Sequence, residues 1–402
     1  MRRLLIALSL LPVLVACVQV NVQGDPSPYL QERKLRVATY NTSLYSDEPG
    51  GLIRQLQGDS LHARRIAAVI QRVRPQLLLL NEFDYDDAHI AADLFQRNYL
   101  EVAQPGGGAA LRYPYRYLAP VNTGVASGLD LDRNGEAGGS GRNGGNDAWG
   151  YGLHPGQYGM LVLSMYPIDT AAVRSFQLLR WSAMPDALRP FDPVTRTPYH
   201  PDEIWEQLRL SSKSHWDVPV RTANGVVHFL VSHPTPPVFD GPEDRNGKRN
   251  HDEIRLWKEY LSPGHKPWLC DDQGQCGGLA ADARFVIAGD LNNDPVDGDG
   301  LHQAILELLE HPRVMRHATP TSAGGAETAH AYAAQGIAKR GSPGQVTGDF
   351  GPRTGAMRLD YVLPSTGFAL QGSGVFWPLK ASADAALAEA SDHHLVWVDL
   401  TW

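Results

Sequence analysis

Apolar positions in this chain fall into two periods, and their alternation predicts the architecture. Residues 35–40 (LRVATY) begin with every second position apolar, as in a half-buried strand. Leu61, Ile66, Val69, Ile70 and Val73 instead recur at helical spacing, and Pro75 predicts where that helix stops. The leucine run 77–80 reads as a strand buried on both faces. Strand, helix, strand predicts a sheet covered by helices. Further short apolar strands are expected at 160–164, 226–232, 284–288, 359–363 and 395–400, with a helix at 302–309. Another helix is expected from Asp252, with Ile254, Leu256 and Trp257 as its apolar positions. No internal repeat is visible at periods of 20–50 residues.

Composition adds long loops to this picture. Of the 402 residues 43% are hydrophobic, enough for a large core. The 40 glycines and 29 prolines predict insertions around it. Two stand out. Residues 122–157 are rich in Gly and Asn, and residues 175–217 carry Trp181, Trp205, Trp216 and several prolines. Neither reads as an independent domain, and both are long enough to shape a cleft. A net charge of −8 gives no broad attraction for nucleic-acid backbones, although a bound cation reverses the field at one site.

The N-terminus reads as an export signal. Arg2 and Arg3 precede an apolar run at 4–15 that is too short to span a bilayer. It ends in Leu14-Val15-Ala16-Cys17, which resembles a bacterial lipobox. That resemblance implies a signal peptide at 1–17, a lipid on Cys17 and a polar tether at 18–34. It places the domain at 35–402 outside the cytoplasm, anchored at the outer membrane, in the periplasm or at the cell surface. The remaining cysteines, Cys270 and Cys276, bracket a polar five-residue loop. In an oxidising compartment they are expected to form a disulfide; a metal site would need more soft ligands than His265.

Polar residues recur where the apolar strands end. Asn41 follows LRVATY, Glu82 follows LLLLN, His233 follows FLVS, and Asp290 and Asn292 follow FVIAG. Asp360 sits inside RLDYVL, and Asp392 and His393 precede the last strand. Strand ends of one sheet converge, and clustered buried carboxylates call for a divalent cation.

The order Asn, Glu, His, Gly-Asp-x-Asn, Arg-x-Asp-Tyr, Ser-Asp-His resembles the endonuclease/exonuclease/phosphatase superfamily. The matching segments are 289–292 (GDLN), 358–361 (RLDY) and 391–393 (SDH), with Gly156 to Gly159, Leu163-Ser164 and Pro167-Ile168 as a further stretch. The superfamily includes DNase I-like nucleases, abasic-site endonucleases, sphingomyelinases and inositol phosphatases. The resemblance implies a DNase I-like four-layer α/β sandwich, two mixed sheets with helices outside. It also implies a phosphoester hydrolase using Mg²⁺, with Mn²⁺ or Ca²⁺ as alternatives.

Residue by residue, Asn41, Glu82 and Asp392 resemble the metal ligands. Asp290 resembles the base that activates water, and Asn292 the residue that positions water or phosphate. His393 resembles the histidine that holds the phosphoryl group, and Asp360 the carboxylate that orients it. His233 resembles the second histidine, donating to phosphate or leaving group. His394 is expected to point away.

The chain departs from many nucleases at 40–43, which lacks a preceding Trp and a following Gly, and at 234–237 after His233. Those departures leave the substrate open among nucleic acid, sugar phosphate and phospholipid head group. A monomer is expected. Lys213 and His215 are candidates for positive charge near substrate, and exposed positions are the alternative. Residues 130–135 (DLDRNG) resemble the first half of a calcium loop, but Gly141 stands where the twelfth-position Glu would be. Two competing functions follow: a catalytically silent surface lipoprotein that keeps the fold for ligand binding, and a calcium-binding adhesion module.

Overall fold

The computed structural model describes residues 34–402. The signal segment, Cys17 and nearly all of the tether lie outside the described residues. Lys34, expected as tether, is already the first residue of a strand.

Two mixed sheets form the centre. The first runs in the spatial order Ala369–Val375, Val396–Thr401, Lys34–Leu44, Leu77–Phe83, Met160–Ser164, Tyr115–Tyr117. The second runs Asp360–Pro364, Arg284–Asp290, Gly225–Ser232, His215–Thr222, Arg174–Ser175. Each contains one parallel pair, Lys34–Leu44 with Leu77–Phe83 and Gly225–Ser232 with Arg284–Asp290. All other pairs are antiparallel.

Alternation along the second sheet shows how the layers stack. Phe229, Val231, Val286, Ala288 and Val362 belong to the core facing the first sheet. Their neighbours Leu230, Phe285, Ile287, Tyr361 and Leu363 belong to a second core, with Trp257, Tyr260 and Leu308 of helices Arg245–Leu261 and Gln303–Leu309. Successive strand residues point to opposite faces, so this sheet is buried on both. The first sheet carries helix Leu61–Val73 on its other side, with Ile66, Val69 and Ile70 buried. That helix is capped by Ser60, whose hydroxyl accepts from Ala63 N at 3.2 Å. The result is helix, sheet, sheet, helix, the four-layer sandwich expected.

The sequence reading differs from the structure at the ends of elements. The strand expected at 35–40 runs through Leu44, and those expected at 77–80 and 284–288 run to Phe83 and Asp290. Pairing continues past the apolar run, as at Asn41 opposite Asn81. The helix expected from Asp252 begins two turns earlier, at Arg245. Its early polar residues are buried by use: Asn250 Nδ2 donates to Thr235 O at 2.8 Å and Leu291 O at 2.9 Å. Cys270 and Cys276 form the expected disulfide, with Cα atoms 3.9 Å apart. No helix among the described residues is long and apolar enough to cross a membrane.

Candidate active site at the strand ends

Both parallel pairs end at the same place, and two local distortions aim their side chains. In the first sheet the register slips between Asn41 opposite Asn81 and Leu44 opposite Phe83, so two residues face one. This bulge holds Ser43 and Glu82 in the left-handed region, at φ 49° and 55°. Non-glycine residues there cost of order 1–3 kcal/mol and cluster at functional sites. Asn41 Nδ2 donates to Glu82 Oε1 and to Asp290 Oδ2, 3.1 Å in each case. In the second sheet, a Cβ on Gly289 would lie 2.1 Å from Ser232 O. Only glycine lets these strands approach so closely and set Asp290 beside His233.

Asp290 is the hub. His233 Nε2 and His393 Nε2 each lie 3.5 Å from its Oδ2. Its Oδ1 accepts from the backbone of Asn292 at 2.9 Å, and its own N–H donates to Asn81 Oδ1 at 3.1 Å. His393 Nδ1 is 2.8 Å from Asp360 Oδ2, which also receives Thr347 Oγ1 at 2.7 Å. Asp290, Asp360 and His393 bring one ligand atom each within 4.8 Å of one another. Asn292, at φ 52°, ties its Nδ2 to Pro234 O at 3.0 Å. Two buried atoms here, His233 Nδ1 and Asp360 Oδ1, have no partner among the described residues.

Electrostatics divides the two histidines. Burial pushes His393 down, but Asp360 and Asp290 more than offset it, holding its pKa well above the usual imidazole value. His393 is therefore an imidazolium at neutral pH. Burial, reinforced by the charge of Lys213, drives His233 down to about 4, so it stays neutral. Burial pushes Asp290 up, yet the two histidines and Asn41 hold its carboxyl below the ordinary range. Glu82 is raised by burial, with the Asn41 hydrogen bond as the main opposing influence.

Seven of the eight candidate residues thus form one connected set: Asn41, Glu82, His233, Asp290, Asn292, Asp360 and His393. Asp392 stays at its rim. Its carboxylate is exposed and receives Ser391 Oγ at 3.3 Å, while Ser391 also donates to Asn41 O at 2.9 Å. His394 turns away, as expected, and stacks on Trp377 with centroids 3.7 Å apart.

Sequence reasoning missed Asn81 and Thr347. Asn81, fully buried, links the two sheets by accepting from Asp290 N. Its only signal was a polar residue closing a run of leucines. Thr347 sits in a short two-stranded ribbon region and shows no signal in sequence at all.

Glu82, His233, Asp290, Asn292 and His393 of this set line a cavity of about 510 Å³. Its walls include Asp132, Arg142 and Tyr151 from the 122–157 segment, and Trp181, His200 and Lys213 from the 175–217 segment. The expectations for Lys213 and His215 separate. Lys213 lines the cavity, whereas His215 is buried against Ser211 Oγ and Glu253 O at 2.7 and 2.9 Å. Burial drives the His215 pKa down to about 3, so it supplies no charge.

A family model described as the Endonuclease/Exonuclease/phosphatase family matches residues 18–393. The chain belongs to that family. Its members are generally metal-dependent hydrolases of phosphoester bonds, and they include phosphatases, sphingomyelinases and nucleases. Among solved structures, the chain is similar to an endonuclease/exonuclease/phosphatase from Beutenbergia cavernae at 19% identity, over 92% of this chain and 72% of that one, with a TM-score of 0.48. It is also similar to sphingomyelinase C from Streptomyces griseocarneus, at 17% identity over 91% and 99%, TM-score 0.42. A mannosyl-6-phosphatase from Bacteroides thetaiotaomicron matches at 15% identity over 92% and 100%, TM-score 0.45. None of the curated proteins compared with it matches its sequence.

The residues present fit the divalent ion that enzymes of this family use. Glu82 faces the cavity, and among the described residues its carboxylate accepts a single hydrogen bond, from an amide that it shares with Asp290. A half-buried carboxylate with spare lone pairs beside a second carboxylate suits a hard cation that prefers oxygen. His393 does not suit one, because an imidazolium offers no lone pair.

Proposed function

We propose that this chain is a divalent-metal-dependent phosphoester hydrolase, exported and held at a membrane by a lipid on Cys17. The observation that carries the activity is geometric: His393 Nε2 lies 3.5 Å from the Asp290 carboxylate on one cavity wall, and Asp360 holds the other ring nitrogen at 2.8 Å. One group is ready to accept a proton, and the other to receive negative charge.

Phosphoester hydrolysis needs both. Asp290, which its histidine neighbours and Asn41 keep ionised, would accept the proton of an attacking water. Asn292 fixes that carboxylate through its backbone N–H. His393 donates to a phosphoryl oxygen as charge develops there, and Asp360 keeps the ring oriented through Nδ1. His233, neutral, would give a hydrogen bond, not a proton, to the leaving oxygen. Glu82 and Asn41 would hold the cation, with Asp392 at the rim as the third expected ligand. When bound, Mg²⁺ or a similar ion supplies Lewis-acid stabilisation of the phosphoryl oxygens.

A walled cavity and a net charge of −8 favour a small phosphoester over a duplex nucleic acid, which needs an open positive surface. The test is a panel of phosphoesters assayed with Mg²⁺, Mn²⁺ and Ca²⁺. It should contain DNA, RNA, sugar phosphates, phospholipid head groups and chromogenic mono- and diesters. Metal-dependent turnover of a small ester is expected. No turnover of any member, in protein that binds metal, would favour a ligand-binding lipoprotein.

A further inference from the structure

Lys213 occupies a position that the fold alone does not explain. Its side chain is only 6% exposed, and what is exposed opens into the cavity that holds Asp290 and His393. Among the described residues its ammonium forms no hydrogen bond and no ion pair. Buried cations are normally paired, because the lost hydration has to be replaced. Glu253, Glu82 and Asp290 act on Lys213 only through longer-range charge.

The surroundings hold this lysine in place without engaging its charge. Its carbonyl accepts from Asn122 N at 3.0 Å. On one side Ser212 N donates to Glu253 Oε1 at 2.6 Å. Arg249, which would otherwise compete for an incoming anion, is occupied by the carbonyls of Leu210, Trp149, Arg209 and Ser211. Glu253 is occupied by two backbone amides, those of Ser212 and Thr235. Arg249 and Glu253 are thus spent on the loop backbone, whereas the Lys213 ammonium is not.

We propose that the Lys213 ammonium is a binding group for the phosphoryl group of the substrate, donating to a non-bridging oxygen. This rests on the phosphoester reading above and adds a residue to it. The anion completes a hydrogen-bond shell that the protein leaves open, and Lys213 works alongside His393 on the same phosphoryl oxygens. An ammonium is suited to this, since its three donors need no fixed plane.

The experiment uses full-length protein and the variants Lys213→Met and Lys213→Arg. Inorganic phosphate is titrated into each by calorimetry in EDTA, and kinetics are followed on the best ester of the panel. Wild type should bind phosphate without metal, and Lys213→Met should weaken that binding at least tenfold. Its kcat/KM should fall about 10²-fold while its Mg²⁺ affinity stays within a few-fold, and Lys213→Arg should recover part of both losses. An active wild type with equal phosphate binding in Lys213→Met would overturn the proposal. So would failure of Lys213→Met and of a second neutral variant, Lys213→Gln, to fold, since the charge would then serve structure. A wild type that hydrolyses no ester fails at the earlier reading instead.

Discussion

Two groups of three side chains in this molecule look alike by composition and differ in what holds them. Asp290, Asp360 and His393 form one; Asp130, Asp132 and Asp147 form the other, and both bring their ligand atoms within 4.8 Å. In the second group the carboxylates are used by their own loop. Asp147 accepts from Leu131 N, Asp132 N and Gly138 N, and Asp130 accepts from Asn134 N and Gly135 N. Asp132 receives Asn134 N and the Asn146 side chain. In the first group, apart from one backbone bond from Asn292 N to Asp290, the contacts join side chains far apart in the sequence, and buried atoms are left over: His233 Nδ1 beside the group and Asp360 Oδ1 within it. Closeness of carboxylates therefore does not define a site. One cluster closes a glycine-rich turn, and the other keeps hydrogen-bonding capacity in reserve.

The largest effect should come from His393→Ala. Turnover should drop about 10³-fold, and no metal concentration should restore it, because the donor to the phosphoryl oxygens is gone. Rates within a few-fold of wild type would make the first cluster as structural as the second. Next, Glu82→Gln should weaken Mg²⁺ binding at least about tenfold, with partial rescue of rate by excess metal. A rate loss that ignores metal would place Glu82 elsewhere in the mechanism.

Acid should weaken the fold through a histidine buried behind the first site. His215, held neutral with a pKa of about 3, gains no proton on folding, while the unfolded chain takes one up below its usual value of about 6.5. Stability is unaffected above that value and falls as pH drops through the window between them, by about 2 kcal/mol at pH 5 from this residue. Urea unfolding at pH 7.5 and 5.0 measures it, and a His215→Gln variant should lose less over the same interval. The smallest effect belongs to the second cluster. Asp147→Asn should cost about 1–2 kcal/mol through weaker backbone bonds and leave kcat/KM unchanged. A loss of activity would show that the turn takes part in catalysis through Asp132, which lines the cavity.

How much of this was legible in the sequence depends on what each residue does. Strands such as Leu77–Phe83 and Arg284–Asp290 announce themselves because both faces are buried. Strand His215–Thr222 does not. It contains Pro219 and buries Asp217, whose carboxylate is satisfied by His228 and Tyr260 at 2.8 and 2.6 Å. The edge strand Ala369–Val375 is hidden by its glycines, which give no alternation to read. Site residues at strand ends were visible because a polar group after an apolar run is conspicuous. Asn81, Thr347 and Glu253 were not, since they act by bonding to backbone or to another side chain across the sheets. Only the folded arrangement reveals such partners.

The central claim is that Asp290 acts as a base in a metal-dependent hydrolysis. It is tested most directly by titrating Mg²⁺ into EDTA-stripped wild type and Asp290→Asn, with rate and heat of binding measured together. The substitution keeps the shape and removes the proton acceptor. Wild-type hydrolysis should appear with metal and saturate. The variant should bind Mg²⁺ within a few-fold of wild type yet turn over about 10³-fold more slowly. Hydrolysis that persists in EDTA, or an Asp290→Asn rate equal to wild type, would contradict it.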